Sequence, residues 1–412
     1  TLVRGRSLRI DGRRTGGLDG RRAPRAARAF RRASPGPPAR RAPAVSGAKL
    51  AGFDREAALK LPGVVDVVQV SDGIAVVANS TWQARKAAES LEAQFDETAT
   101  RGVDSDPIRL RMLAALDEDA RAQPGRASAG SPPYDKAATL AAIAAAPQRG
   151  DWPYEAPFLA HAALGPLVAT AMVSADRCEA WAPTQQPDRT RDMMAQVTGL
   201  PRDKCQLNVT LIGGGFGRKW EVDFVRQAVE IANQVKGRPI KLTWTREQDF
   251  QHDFYRPAHI ARSRVGFGKD GRILAMHTRT TGIAMWKYQK RPAIPGLGDP
   301  FALGALITGQ YQFPNKYTDY VETPDPIPVG TWRSVSASMN TFFSESALDD
   351  VAAATRRDPL ELRLSMLTDP RARGVLQLAA EKAGWGTKLP RGRGRGIALG
   401  IGFEAYCAQV GE

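Results

Sequence analysis

Cysteine is scarce: Cys178, Cys205 and Cys407 are the only three in 412 residues, and no two share a C-x-x-C spacing. Thiols so far apart match no familiar pattern for an iron–sulfur cluster or a structural zinc, and an odd, unspaced set argues against a disulfide framework. They read as small buried apolar side chains. Histidine is nearly as rare, and His161, His252, His259 and His277 lack the H-E-x-x-H arrangement of a zinc hydrolase. No apolar run approaches the roughly eighteen residues that a membrane-crossing helix needs.

What is present is an ordinary globular composition, 42% hydrophobic and 25% charged, with length for two or three domains. The net charge of +15 is unevenly placed. Thirteen arginines precede position 46, opposed there only by Asp11 and Asp19. Such an excess suggests contact with a polyanion, so a nucleic-acid-binding arm is one reading, but the signal belongs to one segment and not to the folded body. Residues 1–46 carry almost no apolar periodicity and are expected to be disordered. Arg31-Arg32 has no apolar stretch after it and is not an export signal. The Arg/Pro/Gly/Ala composition is that of a GC-rich gene read out of frame, which places an expected frame change near Ser46-Gly47.

Order is predicted from Gly47. Asp54 caps a short helix over Arg55–Lys60, strands follow at Val64–Val70 and Ile74–Ala78, and a helix runs from Trp82 to about Gln94. Residues 47–99 thus form a small β-β-α module. Residues 100–150, with weak helices interrupted by Pro124, Pro132-Pro133 and Pro147, are expected to be a connector wrapping the outside. From 151 to 390 short strands alternate with helices. Cys178–Trp181, Gln206–Ile212 and Pro239–Thr245 read as strands. Pro187–Thr198, Glu221–Val235, Phe343–Ala354 and the segment from Asp358-Pro359 to Leu367 read as helices. The alternation predicts a mixed α/β (α+β) fold.

The segment richest in chemical information is Gly213-Gly214-Gly215-Phe216-Gly217-Arg218-Lys219, placed between a predicted strand and a predicted helix. It fits neither G-x-G-x-x-G nor the Walker spacing. Consecutive glycines let a backbone adopt positive φ and approach a ligand closely, and a helix start beyond them offers free N–H groups to an anion. A bare glycine triplet is equally a tight turn made for packing.

Its surroundings carry more. Trp181-Ala182-Pro183-Thr184-Gln185-Gln186-Pro187 precedes it, and Thr198-Gly199-Leu200-Pro201 ends the intervening helix. Gly237-Arg238-Pro239-Ile240-Lys241-Leu242-Thr243-Trp244-Thr245-Arg246-Glu247, Arg256-Pro257-Ala258-His259 and Pro328-Val329-Gly330-Thr331-Trp332-Arg333-Ser334 follow it in order. This series resembles the molybdenum hydroxylases, the xanthine dehydrogenase and aldehyde oxidase family. Tyr154–Ala162 and the Arg391–Gly396 run point within it to the isoquinoline 1-oxidoreductase large subunits. The resemblance covers residues 47–97 and 152–410.

The resemblance implies a small hammerhead-like module followed by molybdenum-cofactor-binding α/β domains, with 391–412 beginning a second, truncated cofactor-binding part. It implies a molybdenum pterin dinucleotide, of the cytosine form, held by Gly213, Gly214, Gly215, Phe216, Gly217, Arg218, Trp332, Arg333, Ser334 and Gln185. It also implies oxidation of an aldehyde or N-heteroaromatic compound with water as oxygen source, electron transfer to a separate small [2Fe–2S] subunit, and a periplasmic location. No nucleic-acid partner follows from it. The family's catalytic glutamate is expected beyond Glu412, and Gly165-Pro166 replaces an acidic residue before proline. The alternatives are a non-functional gene product and the Arg-rich nucleic-acid-binding protein. Gln185 and Gln186 could equally serve as helix-entry amides. His259 reads as a structural histidine, and Trp286, Trp332 and Tyr255 as the lining of a substrate funnel or, by default, as packing aromatics.

Overall fold

The computed structural model describes residues 39–41, 48–125, 135–292, 296–307 and 309–412. The expectations of disorder over 1–46 and of a frame change near Ser46 fall largely outside those residues. Where they do not, disorder is corrected: Ala39–Arg41 (β1) pairs antiparallel with Ile74–Val76.

The small module contains β2 (Lys49–Phe53), α1 (Arg55–Leu59), β3 (Val64–Val70), β4 (Gly73–Ala78), α2 (Thr81–Ser90) and β5 (Ala93–Asp96). Asp54 caps α1 as expected, its carboxylate accepting from the Ala57 amide at 2.9 Å. The helix expected to reach Gln94 stops at Ser90 instead. The chain turns extended at Leu91, and β5 pairs with β2, with Leu50 and Phe95 as partners. A strand pairing between segments some forty residues apart outcompetes the helical propensity of Glu92 and Ala93, which have no buried stripe to extend.

The segment 100–150 is built in rather than wrapped outside. The helix α3 (Ser105–Ala115) buries Ile108 and Met112 against Ala258 and Ile260. The short strand β6 (Gln123–Pro124) joins the edge of a five-stranded sheet, and α4 (Lys136–Ala145) buries Thr139 and Ile143. That sheet has the order β6-β14-β13-β12-β7, with β7 (Gln148–Ala156), β12 (His259–Phe267), β13 (Ile273–Gly282) and β14 (Asn315–Glu322).

A four-stranded sheet, β10-β9-β8-β11, positions the candidate site. Its strands are β8 (Val168–Val173), β9 (Cys178–Ala182), β10 (Cys205–Val209) and β11 (Ile240–Thr243). The helix α5 (Pro187–Thr198) ends at Gly199 with φ +73°, and α6 (Asp223–Gln234) buries Val225, Val229 and Ala232 of its predicted stripe. Cys178 and Cys205 are register partners on neighbouring strands, both buried and free. Burial pushes the Cys178 thiol up to about 12. The strand expected to run to Thr245 ends at Thr243, because Thr245 instead caps α7 (Arg246–Gln251) in a reciprocal box with Gln248.

The remaining helices α8 (Met285–Tyr288), α9 (Pro300–Ile307), α10 (Ala337–Thr355), α11 (Pro359–Met366) and α12 (Pro370–Lys382) precede a hairpin of β15 (Gly396–Gly402) and β16 (Ala405–Gly411). The arginines before this hairpin are not a free tract. Arg393 and Arg395 pair with Glu412 at 2.7 and 2.9 Å, which also occupies that carboxylate structurally. Among the described residues no helix is long and apolar enough to cross a membrane.

Candidate functional site

The strands β9 and β10 run parallel, side by side, so the loops leaving their carboxyl ends meet. That edge is where open α/β sheets place ligands. The loop after β9 brings Gln185, whose amide donates to the Lys219 carbonyl at 2.9 Å. The loop after β10 is the glycine turn. Thr210–Ile212, expected as strand, leave the sheet to enter it.

The turn needs its glycines. Gly213, Gly214 and Gly217 have φ of +64°, +83° and +108°, and Phe216 itself sits at +53°. A non-glycine residue in that region is a strained exception that marks sites of function more often than chance. Beneath the turn lies Lys219, 1% exposed. Its ammonium donates to the carbonyls of Ile212, Gly214 (2.9 Å) and Gly165 (3.4 Å). In a trans peptide the C=O and the following N–H point opposite ways. Carbonyls drawn inward to Lys219 therefore turn the amides of Gly213 and Gly215 outward. Among the described residues, none of the five amides from Gly213 to Gly217 donates to a protein acceptor.

The second loop lies against the first. A Cβ on Gly217 would stand 1.6 Å from the Thr331 carbonyl oxygen. His161 ties the loops together: its Nε2 lies 3.1 Å from that same oxygen and its Nδ1 3.0 Å from Asp253. Trp332 donates weakly to the Ala160 carbonyl at 3.4 Å, and the Arg256 guanidinium lies 5.7 Å from its ring centre. Ser334 and Val335 both have positive φ, so this turn is also tightly wound. Arg333 and Ser334 are exposed. Gly165 has a role of its own: its amide donates to Gly213 O at 3.2 Å, and a Cβ there would stand 2.7 Å from the same oxygen. An acidic side chain at 165 would push the turn away.

Arg218 is corrected. It was expected to face a ligand, yet it is fully buried and turned inward, with two bonds to Asp223 at 2.8 and 2.7 Å. Its Nε lies 3.0 Å from Asp253 without hydrogen-bond geometry. Its amide is also spent, on Gly215 O. It braces the turn from behind. Gln185 stays beside the turn, its Oε1 3.4 Å from where a Gly215 Cβ would be, and Gln186 occupies the cap position of α5 without a side-chain cap bond.

Two groups escaped the sequence reading. His161 stood inside the Tyr154–Ala162 segment that carried the resemblance, but nothing there gave it a role. Glu221 passed as a helix boundary, but it is buried, and burial raises its carboxyl above the ordinary range while Arg189, 3.5 Å away, opposes that rise. Tyr288 nearby is pushed up to about 12 by burial and by the charges of Glu221 and Asp223. His259 is held neutral, as a structural histidine would be: burial, helped by Arg256, lowers it to about 3.

Residues 127–367 match the molybdopterin cofactor-binding domain family. The chain belongs to this family. Among curated relatives of this molybdopterin cofactor-binding chain, the beta subunit of isoquinoline 1-oxidoreductase from Brevundimonas diminuta is 27% identical, over 88% of this chain and 46% of that one. A nicotinate dehydrogenase subunit of Pseudomonas putida is 28% identical, over 82% and 28%. The chain thus spans about half or less of the length of these relatives. Among solved structures, aldehyde oxidoreductase from Desulfovibrio gigas superposes with a TM-score of 0.67 at 22% identity, covering 91% of this chain and 47% of that one. Quinoline 2-oxidoreductase from Pseudomonas putida 86 gives 0.67 at 18%, over 88% and 53%. The fold is that of part of these two solved structures.

The residues present fit such a group. A molybdopterin cofactor is anionic and oxygen-rich, and the outward amides of the glycine turn are donors without protein acceptors, in a backbone that leaves open space around Gly214.

Proposed function

We propose that this chain forms part of the cofactor cradle of a molybdenum-dependent hydroxylase that oxidises an aldehyde or an N-heteroaromatic compound with water as oxygen source. The observation that carries the reading is the amide-lined turn Gly213–Gly217, held from beneath by Lys219 and pressed against Thr331. In this reading the amides from Gly213 to Gly217 hold the oxygen-rich group, Gln185 contributes its side-chain amide, and Trp332, Arg333 and Ser334 approach from the second loop. When bound, the cofactor supplies two-electron oxidation of the substrate. The chain's own contribution is to fix donors in advance, so that no backbone has to reorganise as charge develops. Phe216, 42% exposed beside the turn, offers an apolar face to a flat ring or an aldehyde.

The cytosine dinucleotide form and a small [2Fe–2S] partner complete the proposal. The relatives named as subunits support a partner. The test is to express the chain with molybdate and a matching small subunit, then measure molybdenum and acid-released cytidine monophosphate in the purified folded protein. Stoichiometric metal that disappears in a Gly217→Ala variant is expected. Folded protein free of molybdenum and cytidine monophosphate would overturn the reading.

A further inference from the structure

Away from the glycine turn, the face of β14 that packs on α9 and α10 carries a lysine where alternation calls for an apolar residue. Lys316 is the register partner of Met276. Beyond it on the same face, Thr318 and Tyr320 are fully buried. The Lys316 amine lines a small recess with Met276, Leu306, Phe313 and Leu348, together with Tyr311. Among the described residues, no carboxylate pairs with it and no acceptor bonds it. Glu345, which accepts from Gln310 of this recess, is already paired with Arg363 at 2.8 Å. Tyr311, the other titratable group there, has a buried hydroxyl with no hydrogen bond of ordinary geometry. Gly309 provides the room, since a Cβ at that position would stand 2.8 Å from the amine nitrogen.

An ammonium with no protein partner, half-buried in a mainly apolar recess, is drawn toward loss of its proton when no anion sits beside it. The recess shows no second cation, and its polar side chains Thr278, Gln310 and Ser344 are bonded to protein partners, which leaves no cluster of free donors to make an anion site. We propose that Lys316 is a reactive amine that takes one- or two-carbon aldehydes as a reversible imine. The amine lone pair attacks the carbonyl carbon, the carbonyl oxygen leaves as water with both amine protons, and a C=N bond replaces C=O. No oxidant or reductant is consumed. The cavity of about 30 Å³ admits roughly two water-sized groups, which sets the size limit on the aldehyde.

Burial brings the Lys316 ammonium down to about 8. At pH 7 about a tenth of it is then neutral, against about three parts in ten thousand for an ordinary lysine near 10.5. The experiment treats the full chain at pH 7 with formaldehyde, acetaldehyde or benzaldehyde, traps imines with cyanoborohydride, and follows each lysine by peptide mass spectrometry. Lys316 is expected to alkylate at least tenfold faster than Lys382, whose side chain is 74% exposed. That excess should be present with formaldehyde and acetaldehyde, absent with benzaldehyde, lost in denaturant, and its rate should level off above pH 8. Equal or slower labelling of Lys316 than of Lys382 in the folded chain overturns the proposal, as does an excess that persists with benzaldehyde. A Gly309→Val variant whose circular dichroism is unchanged should lose the excess. Retention of it there would also count against the recess.

Discussion

At Gly217 an added methyl would meet a carbonyl oxygen at 1.6 Å, in a backbone already at φ +108°. Gly217→Ala is therefore expected to cost about 3 kcal/mol or more in denaturant unfolding, and to abolish molybdenum retention. Lys219→Met separates shape from stability. It removes the hydrogen bonds that orient the Gly213 and Gly215 amides but also a buried cation, so a loss of only about 1–2 kcal/mol is expected, with a larger loss of bound metal. Unchanged metal content in Lys219→Met would contradict the anchoring role. His259 sets a pH dependence. Its folded value is lowered to about 3 from 6.5, so the unfolded chain binds the extra proton. This contribution is complete above 6.5 and is lost as pH falls toward 3. Urea titrations should show about 2 kcal/mol lost through this group between pH 6.5 and 5, and a His259→Asn variant should lack that slope. The glycine turn was legible because its residue types have few other uses. The bridging by His161 was not, because it depends on Asp253, far along the chain, and the inward turn of Arg218 was not, because its partner Asp223, though only five residues on, reads in the sequence as a helix-start acid.

Among the elements, α6 and α5 were readable from their own residues: an apolar stripe for the first, Pro187 and Gly199 as bounds for the second. The strand β5 and the embedding of α3 were not, since each depends on a partner far along the chain and local propensity carries no information about it. The same contrast separates two glycines at helix or turn ends. Gly199 has positive φ but open space around it, so Gly199→Ala should cost only about 1 kcal/mol and leave metal content unchanged. Phe224→Ala in α6, fully buried, should cost about 3–5 kcal/mol by thermal or urea unfolding.

Across the whole molecule, the boundary near residue 99 that composition suggested is not a boundary in the core. Val68, Val70, Ala75 and Val77 of the small module belong to the same buried cluster as Phe224, Val225 and Ala228 of α6. Asp72 and Glu230 extend the contact, taking bonds from Gln227 and the Ser71 amide. Residues 64–78 and 168–243 should therefore lose hydrogen-exchange protection together, and Val77→Asp should accelerate exchange in α6. Two well-separated transitions would show the small module to be independent.

The obstacle facing Gly217 is a main-chain oxygen, which every amino acid carries. Side-chain identity at position 331 thus matters only through the bond its hydroxyl accepts from Gln289 Nε2 at 3.0 Å, whereas the length of the segment from 328 to 334 is fixed. Saturation mutagenesis of Thr331 should cost no more than the Gln289 bond, while a single-residue insertion or deletion beside it should empty the protein of metal.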